Sequence, residues 1–193
     1  MTAPVPAGIR IDHAVQPAAS SFAGSWYAVR VRSNFEFITS RLLHDKGFED
    51  FLPVYRSRRQ WCDRVKELDL PLFSGYVFCR FAPDALVRIL NTPGVVEIIS
   101  AARRPIPIDE REIDAIRAIC RSGLRTQPWP FLEVGRRVAV TQGPLAGTEG
   151  FVVEMKNQQR LVVSISLLQR SVAAEIERDW IQPLSAAARH GVV

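Results

Sequence analysis

The hydrophobic rhythm of the chain changes once, near residue 123, and this change constrains the fold more than any other feature. Before it, strand-like and helix-like patterns take turns. Residues 26–32 alternate and are rich in β formers, which predicts a strand. Ser33 and Glu36 have the spacing of a capping box, with Ser33 as the N-cap. Phe35, Ile38 and Leu42 follow at helical spacing, and Gly47 fits the C-terminal cap. Residues 48–55 and 74–81 read as strands, with Pro83 opening a short helix through Leu86, Ile89 and Leu90. Thr92-Pro93-Gly94 stops that helix, and residues 95–99 return as a strand. Asp109 and Glu112 cap a last helix over 109–121, whose apolar stripe is Ile113, Ile116, Ile119 and Cys120. The order predicts an α+β domain, an antiparallel sheet with helices packed on it. Residues 121–131 then carry Gly123, Pro128 and Pro130, a linker composition. Beyond them come short strands at 136–141, 149–156, 160–166, 171–176 and 179–181. Gln142-Gly143-Pro144, Asn157-Gln158 and Leu167-Leu168-Gln169 supply turns, and the pattern predicts a small five-stranded barrel. The expected organisation is a tail over 1–24, a first domain over 25–122, a linker over 123–131, a barrel domain over 132–184 and a tail over 185–193.

A chain of 193 residues is long enough for two small domains, and 47% hydrophobic with 23% charged residues is the balance of a folded protein. The first residues hold Pro4, Pro6 and Pro17 and no apolar run, so they read as a loose tail and not a secretion signal. No stretch approaches the roughly 20 apolar residues of a membrane span, and a cytoplasmic location is expected. Cys62, Cys79 and Cys120 are odd in number and lack Cys-x-x-Cys spacing, which argues for reduced thiols and against zinc. His13, His44 and His190 stand beside no nucleophile, and Cys62 in its basic surroundings has no base partner. Gly143 and Gly147 lie between strands, where no phosphate loop is built. No catalytic residue, cofactor or metal is expected.

The net charge of +5 is unevenly spread. From 131 to 184 six basic residues meet six acidic ones, so the surplus lies elsewhere. It is densest between Tyr55 and Lys66, where Arg56, Arg58, Arg59, Arg64 and Lys66 oppose Asp63 alone. Such an arm attracts phosphate backbones without reading sequence; the plain alternative is a solvated hairpin.

The strand over 76–81 is unusual. Val77, Cys79 and Phe81 point to one side, Tyr76 and Phe78 to the other. A sheet covered by helices on one face normally shows polar residues on its second. Here the second face holds two aromatics, Leu72 and Phe73 lie just before them, and Ile98 is expected to join the group. Either the protein covers this face itself, or the face is an apolar patch that receives a partner helix.

These residues resemble a known family. Trp26-Tyr27, Leu72-Phe73-Ser74-Gly75-Tyr76-Val77-Phe78 and Thr92-Pro93-Gly94-Val95 look like the N-terminal domain of NusG transcription factors. Val134-Gly135, Val138, Val140, Gly143-Pro144-Leu145, Gly147 and Gly150 look like a KOW motif, and Val162-Val163-Ser164-Ile165 with Glu175 match the rest of its barrel. The arm and Pro71-Leu72-Phe73 look closer to the specialised RfaH and UpxY types than to the housekeeping members. The resemblance implies a non-enzymatic elongation and antitermination factor. Leu72, Phe73, Tyr76, Phe78 and Ile98 would form a pocket for the clamp helices of the largest RNA polymerase subunit. Val87, Arg88 and Ile89 would touch the opposite jaw, and Arg30, Arg32, Arg56, Arg58, Arg59 and Arg64 would face upstream or non-template DNA. Leu145 and Leu168 would meet a ribosomal protein of the antitermination type, or Rho. Val152, Val153, Val162, Val163 and Ile165 favour strand, so the barrel is expected to be permanent. The rival reading is a KOW-type RNA-binding or ribosome-associated protein, which the aromatic strand disfavours.

Overall fold

The computed structural model describes residues 24–60, 65–130, 136–155 and 158–184. Its first sheet has the order β2-β5-β1-β6, built from β1 (Ser25–Val31), β2 (Glu49–Phe51), β5 (Tyr76–Phe81) and β6 (Val95–Ile98). The short β9 (Pro107–Ile108) also pairs with β1. Every pairing is antiparallel, and β1 lies opposite β5 with Ala28 against Phe78 and Val29 against Val77. On one face Tyr27, Val29, Val31, Val77, Cys79, Phe81 and Ile98 form a core with Leu43 of α1 (Glu36–Asp45) and Ile89 of α2 (Leu86–Leu90). Each large apolar side chain so buried contributes about 1.5–3 kcal/mol.

The ends of α1 show local chemistry at work. The helix starts at Glu36 with Phe35 as N-cap and no side-chain cap, so the expected Ser33 box does not form. The Glu36 carboxylate instead accepts the Gly75 backbone N–H at 2.8 Å, tying the helix to the turn before β5. At the other end Gly47 takes φ +84, its N–H reaches the His44 carbonyl, and the Phe48 N–H reaches the Leu43 carbonyl. That pair of bonds is the Schellman closure, which needs a residue tolerant of positive φ.

The basic arm is a hairpin of β3 (Val54–Gln60) and β4 (Val65–Pro71). The expected strand over 48–55 is thus two strands, divided at Leu52-Pro53. A turn of 3-10 helix at Pro83–Ala85 leads into α2. The minor strands β7 (Ser100–Ala101) and β8 (Arg104–Pro105) precede β9 and then α3 (Glu110–Arg121), capped by Asp109 as expected.

The second sheet is antiparallel with the order β10-β14-β13-β12-β11-β15, an arrangement not closed into a ring. It contains β10 (Thr126–Pro130), β11 (Arg136–Val140), β12 (Glu149–Met155), β13 (Gln158–Ile165), β14 (Arg170–Ile176) and β15 (Ile181–Pro183). Four of these are the expected strands; the strand expected at 179–181 is instead a 3-10 turn over Arg178–Trp180 that leads into β15, and β10 is new, formed by residues that read as linker. Gly143 takes φ +76, and a Cβ there would lie 2.8 Å from the Trp180 ring, so this turn requires glycine for both space and backbone. Val138, Val140, Leu145, Leu161, Val163 and Ile165 share one cluster with Trp26, Phe73, Phe78, Ile113 and Ile116. Helix α3 lies against both β1 and β13, so one continuous core serves both sheets.

Candidate functional site

The second face of β5 carries the aromatic group expected there. Phe73 meets Phe78 edge to face at 5.3 Å, and Phe51 adds a tilted contact with Phe78 at 6.2 Å. Leu72, Phe73 and Phe78 are buried, Phe78 completely, while Tyr76 at the rim is half-buried. Ile98 does not join them. The register sets it opposite Val29, on the helix-covered face, and its neighbour Ile99 packs with the aromatic group instead. The far end of this face is polar but ordered. Arg80 and Arg117 flank the Trp26 ring at 5.3 and 4.7 Å, and Arg117 Nη2 holds Glu49 at 2.7 Å. Arg80 also pairs with Glu110.

The chain's own second sheet lies over this group. Arg170 Nη1 donates to the Ser74 carbonyl at 3.0 Å, and its guanidinium sits 5.1 Å from the Tyr76 ring. Ser166 Oγ donates to the Glu112 carboxylate at 2.7 Å, with the Ser166 N–H at 3.3 Å. Glu112, expected to cap its own helix, is therefore committed to a contact between the two sheets. Strand β10 lies against β3, and a groove between the sheets is lined by Tyr55, Leu70, Leu72, Pro128 and Arg170. Of the two sequence readings of this face, self-coverage describes this structure.

The remaining expected residues divide. Arg30 pairs with Glu97 at 2.8 Å and lies opposite Tyr76, on the edge of the aromatic face. Arg32 and Arg56 are exposed. The hairpin register sets Arg56 against Asp69 and Arg58 against Glu67, so acids of β4 offset part of the charge. Arg59 lies against Lys66 further out. The side chains of Arg58 and Arg59, and all of Arg64, fall outside the described residues. On α2, Val87 is 63% exposed, but Ile89 is fully buried beneath it, so Ile89 is corrected from contact to core. Arg88 rests 4.8 Å over the Phe48 ring and donates to the Lys46 carbonyl. Leu145 is likewise core, fully buried in the second sheet, whereas Leu168 is half-buried against the shared cluster.

The sequence reading missed an outward apolar surface. Phe35 and Ile38 are exposed, and α1 buries Glu36, Thr39, Ser40 and Leu43 instead. Phe37, Val87, Leu90 and Val96 are exposed as well. The signal was present as a stripe at helical spacing, but spacing alone does not say which way a stripe faces. Among the described residues no group of three or more His, Cys, Asp or Glu side chains is placed to hold a metal ion, and no helix is long and apolar enough to cross a membrane.

Known proteins share this arrangement. A family model described as transcription termination factor nusG matches residues 24–117. The transcription termination/antitermination protein NusG of Pseudomonas aeruginosa is 29% identical over 176 residues, covering 83% of this chain and 98% of its own. Its counterpart in Neisseria meningitidis is 26% identical over 179 residues, with the same coverage. The solved structure of Thermotoga maritima NusG shares the fold, with a TM-score of 0.51 at 19% identity over 83% of this chain and 97% of that one. The aromatic strand, the α+β sheet around it and relatives matched along nearly their whole length agree: the chain is similar to the NusG transcription termination/antitermination proteins over most of its length.

Proposed function

We propose that this protein is an elongation and antitermination factor that grips the clamp-helix coiled coil of the largest RNA polymerase subunit through the aromatic face of β5. One observation carries the reading: Tyr76 and Phe78 stand on the sheet face that is polar by default, beside Leu72 and Phe73. Residues 25–122 act as the polymerase-binding domain and 132–184 as the partner domain, with 123–131 between them. Val87, Arg88 and the adjacent Leu90 reach the opposite jaw, and Arg30, Arg32, Arg56 and the outer hairpin lie along upstream or non-template DNA. The loop around Leu168 receives a ribosomal protein of the antitermination type or Rho. Catalysis has no part in this. A protein that binds the closed, active polymerase more tightly than the paused form shifts the population toward elongation by that difference in affinity. The arm and Pro71-Leu72-Phe73 favour an operon-specific member over a general one.

The test is co-migration with a cognate elongation complex, comparing wild type with Tyr76→Ala. Tyr76 is the informative position because it is half-buried at the rim, whereas truncating buried Phe73 or Phe78 would cost about 3–5 kcal/mol of folding stability. Loss of an aromatic anchor typically weakens an interface by at least about 2 kcal/mol, roughly thirtyfold. Undiminished binding by a folded Tyr76→Ala protein, with RNA binding present, would instead favour a KOW-type RNA-binding or ribosome-associated protein.

A further inference from the structure

We propose that the outward flank of α1 is a docking surface for a partner protein that presents an acidic amphipathic helix. The flank belongs to the helix-covered side of the first sheet, so the proposal stands apart from the polymerase reading of the aromatic face.

A helix at a protein surface normally buries its apolar stripe and shows its polar one. Helix α1 does the reverse: it buries Glu36, Thr39 and Ser40 along with Leu43, and leaves Phe35 and Ile38 exposed. Phe35, Ile38 and the half-buried Leu42 follow at i, i+3 and i+7, so they form one row about 10 Å long. Phe37 is on the other flank of the helix, where it lines the groove between the sheets. The row runs beside the turn into β6. Thr39 Oγ1 donates to the Pro93 carbonyl, and the Phe35 ring lies so close to Gly94 that a Cβ there would stand 3.0 Å from it. Pro93 is exposed in that turn and Val96 just after it. Apolar side chains gathered at the surface on fixed backbone mark an interaction site.

The form of the occupant follows from the edge beside the row. β6 ends the first sheet, where a strand could add. Its register, however, sets Arg30 against Glu97 and Val31 against Val95, so Val96 is the extra residue of a bulge. A bulge twists an edge strand away from further pairing. The row itself has the spacing of a helix ridge, which packs into the groove of another helix.

The charge of the occupant follows from the rim. Exposed Arg32 and Arg41 bracket Phe35 and Ile38, and Lys46 follows Leu42. Lys46 bonds to the Arg88 and Asn91 carbonyls and the Thr92 hydroxyl. Among the described residues, none of these three cations has a carboxylate partner. Asp45 is the one exposed acid of α1. An apolar row within a basic rim is complementary to an apolar stripe flanked by acids. Arg32, read above as facing DNA, borders both surfaces. A second copy of this chain would set one basic rim against another. Single-stranded nucleic acid stacks on open aromatic faces, whereas the Phe35 ring lies on Gly94 and Ile38 has no ring.

The probe is a stapled helix of about 15 residues, with leucines at i, i+3, i+4 and i+7 and glutamates on its other faces. It is titrated into the full chain and followed by proton–nitrogen correlation spectra. One control helix carries lysines in place of the glutamates, and another has the same composition with the leucines scattered. Amides of α1, Thr92, Gly94 and Val96 should shift, and the acidic amphipathic helix should bind at least about tenfold more tightly than either control. Ile38 is 54% exposed, so Ile38→Glu should keep the wild-type melting temperature while binding the probe at least about tenfold more weakly. Arg41→Glu should turn the preference toward the lysine-bearing helix. Tyr76→Ala should bind the probe as wild type does, whatever its effect on polymerase binding, which separates the two readings. Equal binding of the scattered helix, undiminished binding by Ile38→Glu, or no shift with any helix overturns the proposal. A thymidine oligonucleotide that displaces the probe from these amides would make the surface a nucleic-acid site, and a dimer of the full chain that Ile38→Glu dissolves would make it a self-contact; either result overturns the proposal as well.

Discussion

Single residues in this fold differ sharply in what they tolerate. Gly94 takes φ +90, and a Cβ there would lie 2.3 Å from Thr39 Oγ1 and 3.0 Å from the Phe35 ring. Gly47 takes φ +84 with nothing within 4 Å of a new Cβ. Gly47→Ala should therefore cost only the backbone strain, about 1 kcal/mol. Gly94→Ala adds a clash between α1 and the turn before β6, and should cost about 2–3 kcal/mol or more, measured by urea unfolding. Cys79 offers a pH test. Burial pushes its thiol far above the ordinary range, with Asp50 and Glu49 adding to the shift. Below pH ~8.5 the thiol is protonated in both states and has no pH-dependent effect. Above that the unfolded chain loses the proton and the folded one keeps it, so stability falls by up to about 1.4 kcal/mol per pH unit until the folded value is reached. Cys79→Ala should be less stable at pH 7 because of the cavity it leaves, yet should show a flatter decline between pH ~9 and ~10. Parallel declines for the two proteins would show that the alkaline loss lies elsewhere.

Elements were legible where local chemistry decides them and illegible where tertiary contacts do. Helix α3 follows its apolar spacing, capped by Asp109, because Ile113, Ile116 and Ile119 all find the shared core. Helix α1 has an equally clean stripe in Phe35 and Ile38 that faces outward, since the helix is held by Glu36 to Gly75, Thr39 to the Pro93 carbonyl and buried Leu43. Both glutamates with capping-box spacing, Glu36 and Glu112, bond to distant backbone instead. The aromatic group around Phe78 could be read from strand alternation, but Ile98 could not be assigned without the register, because one residue's offset reverses the face. What covers that group was also hidden, since no local pattern in residues 126–170 announces a contact with Tyr76. The second sheet is the opposite case. Val152, Val153, Val162, Val163 and Ile165 stand in paired strands, and Val138, Val140, Leu145 and Leu161 give them a core within their own segment. An isolated segment of residues 131–193, without β10, should accordingly give a strand-type circular dichroism spectrum, and a helical spectrum would contradict this.

At the scale of the whole molecule, one core is shared by two sheets that sequence reads as separate domains. Its apolar part runs from Trp26 and Phe78 through Ile113 and Ile116 to Leu161 and Ile165. Its polar rim is thin: Glu112 to Ser166, and Arg170 to Ser74 and Tyr76. Each such contact is worth only about 0.5–3 kcal/mol, the upper end being for bonds to charged groups. The covered face is therefore held by the shared apolar core together with a polar rim of a few kcal/mol. Scanning calorimetry reads this balance. Wild type should unfold in one transition, because neither sheet can melt without exposing the other's part of the core. In Glu112→Ala/Arg170→Ala the sheets uncouple, and the trace should separate into two transitions, the second matching that of isolated residues 131–193. A single transition in the variant, at a midpoint within a degree or so of wild type, would mean that the apolar core alone holds the sheets together. The polar rim would then have no hold on the aromatic face.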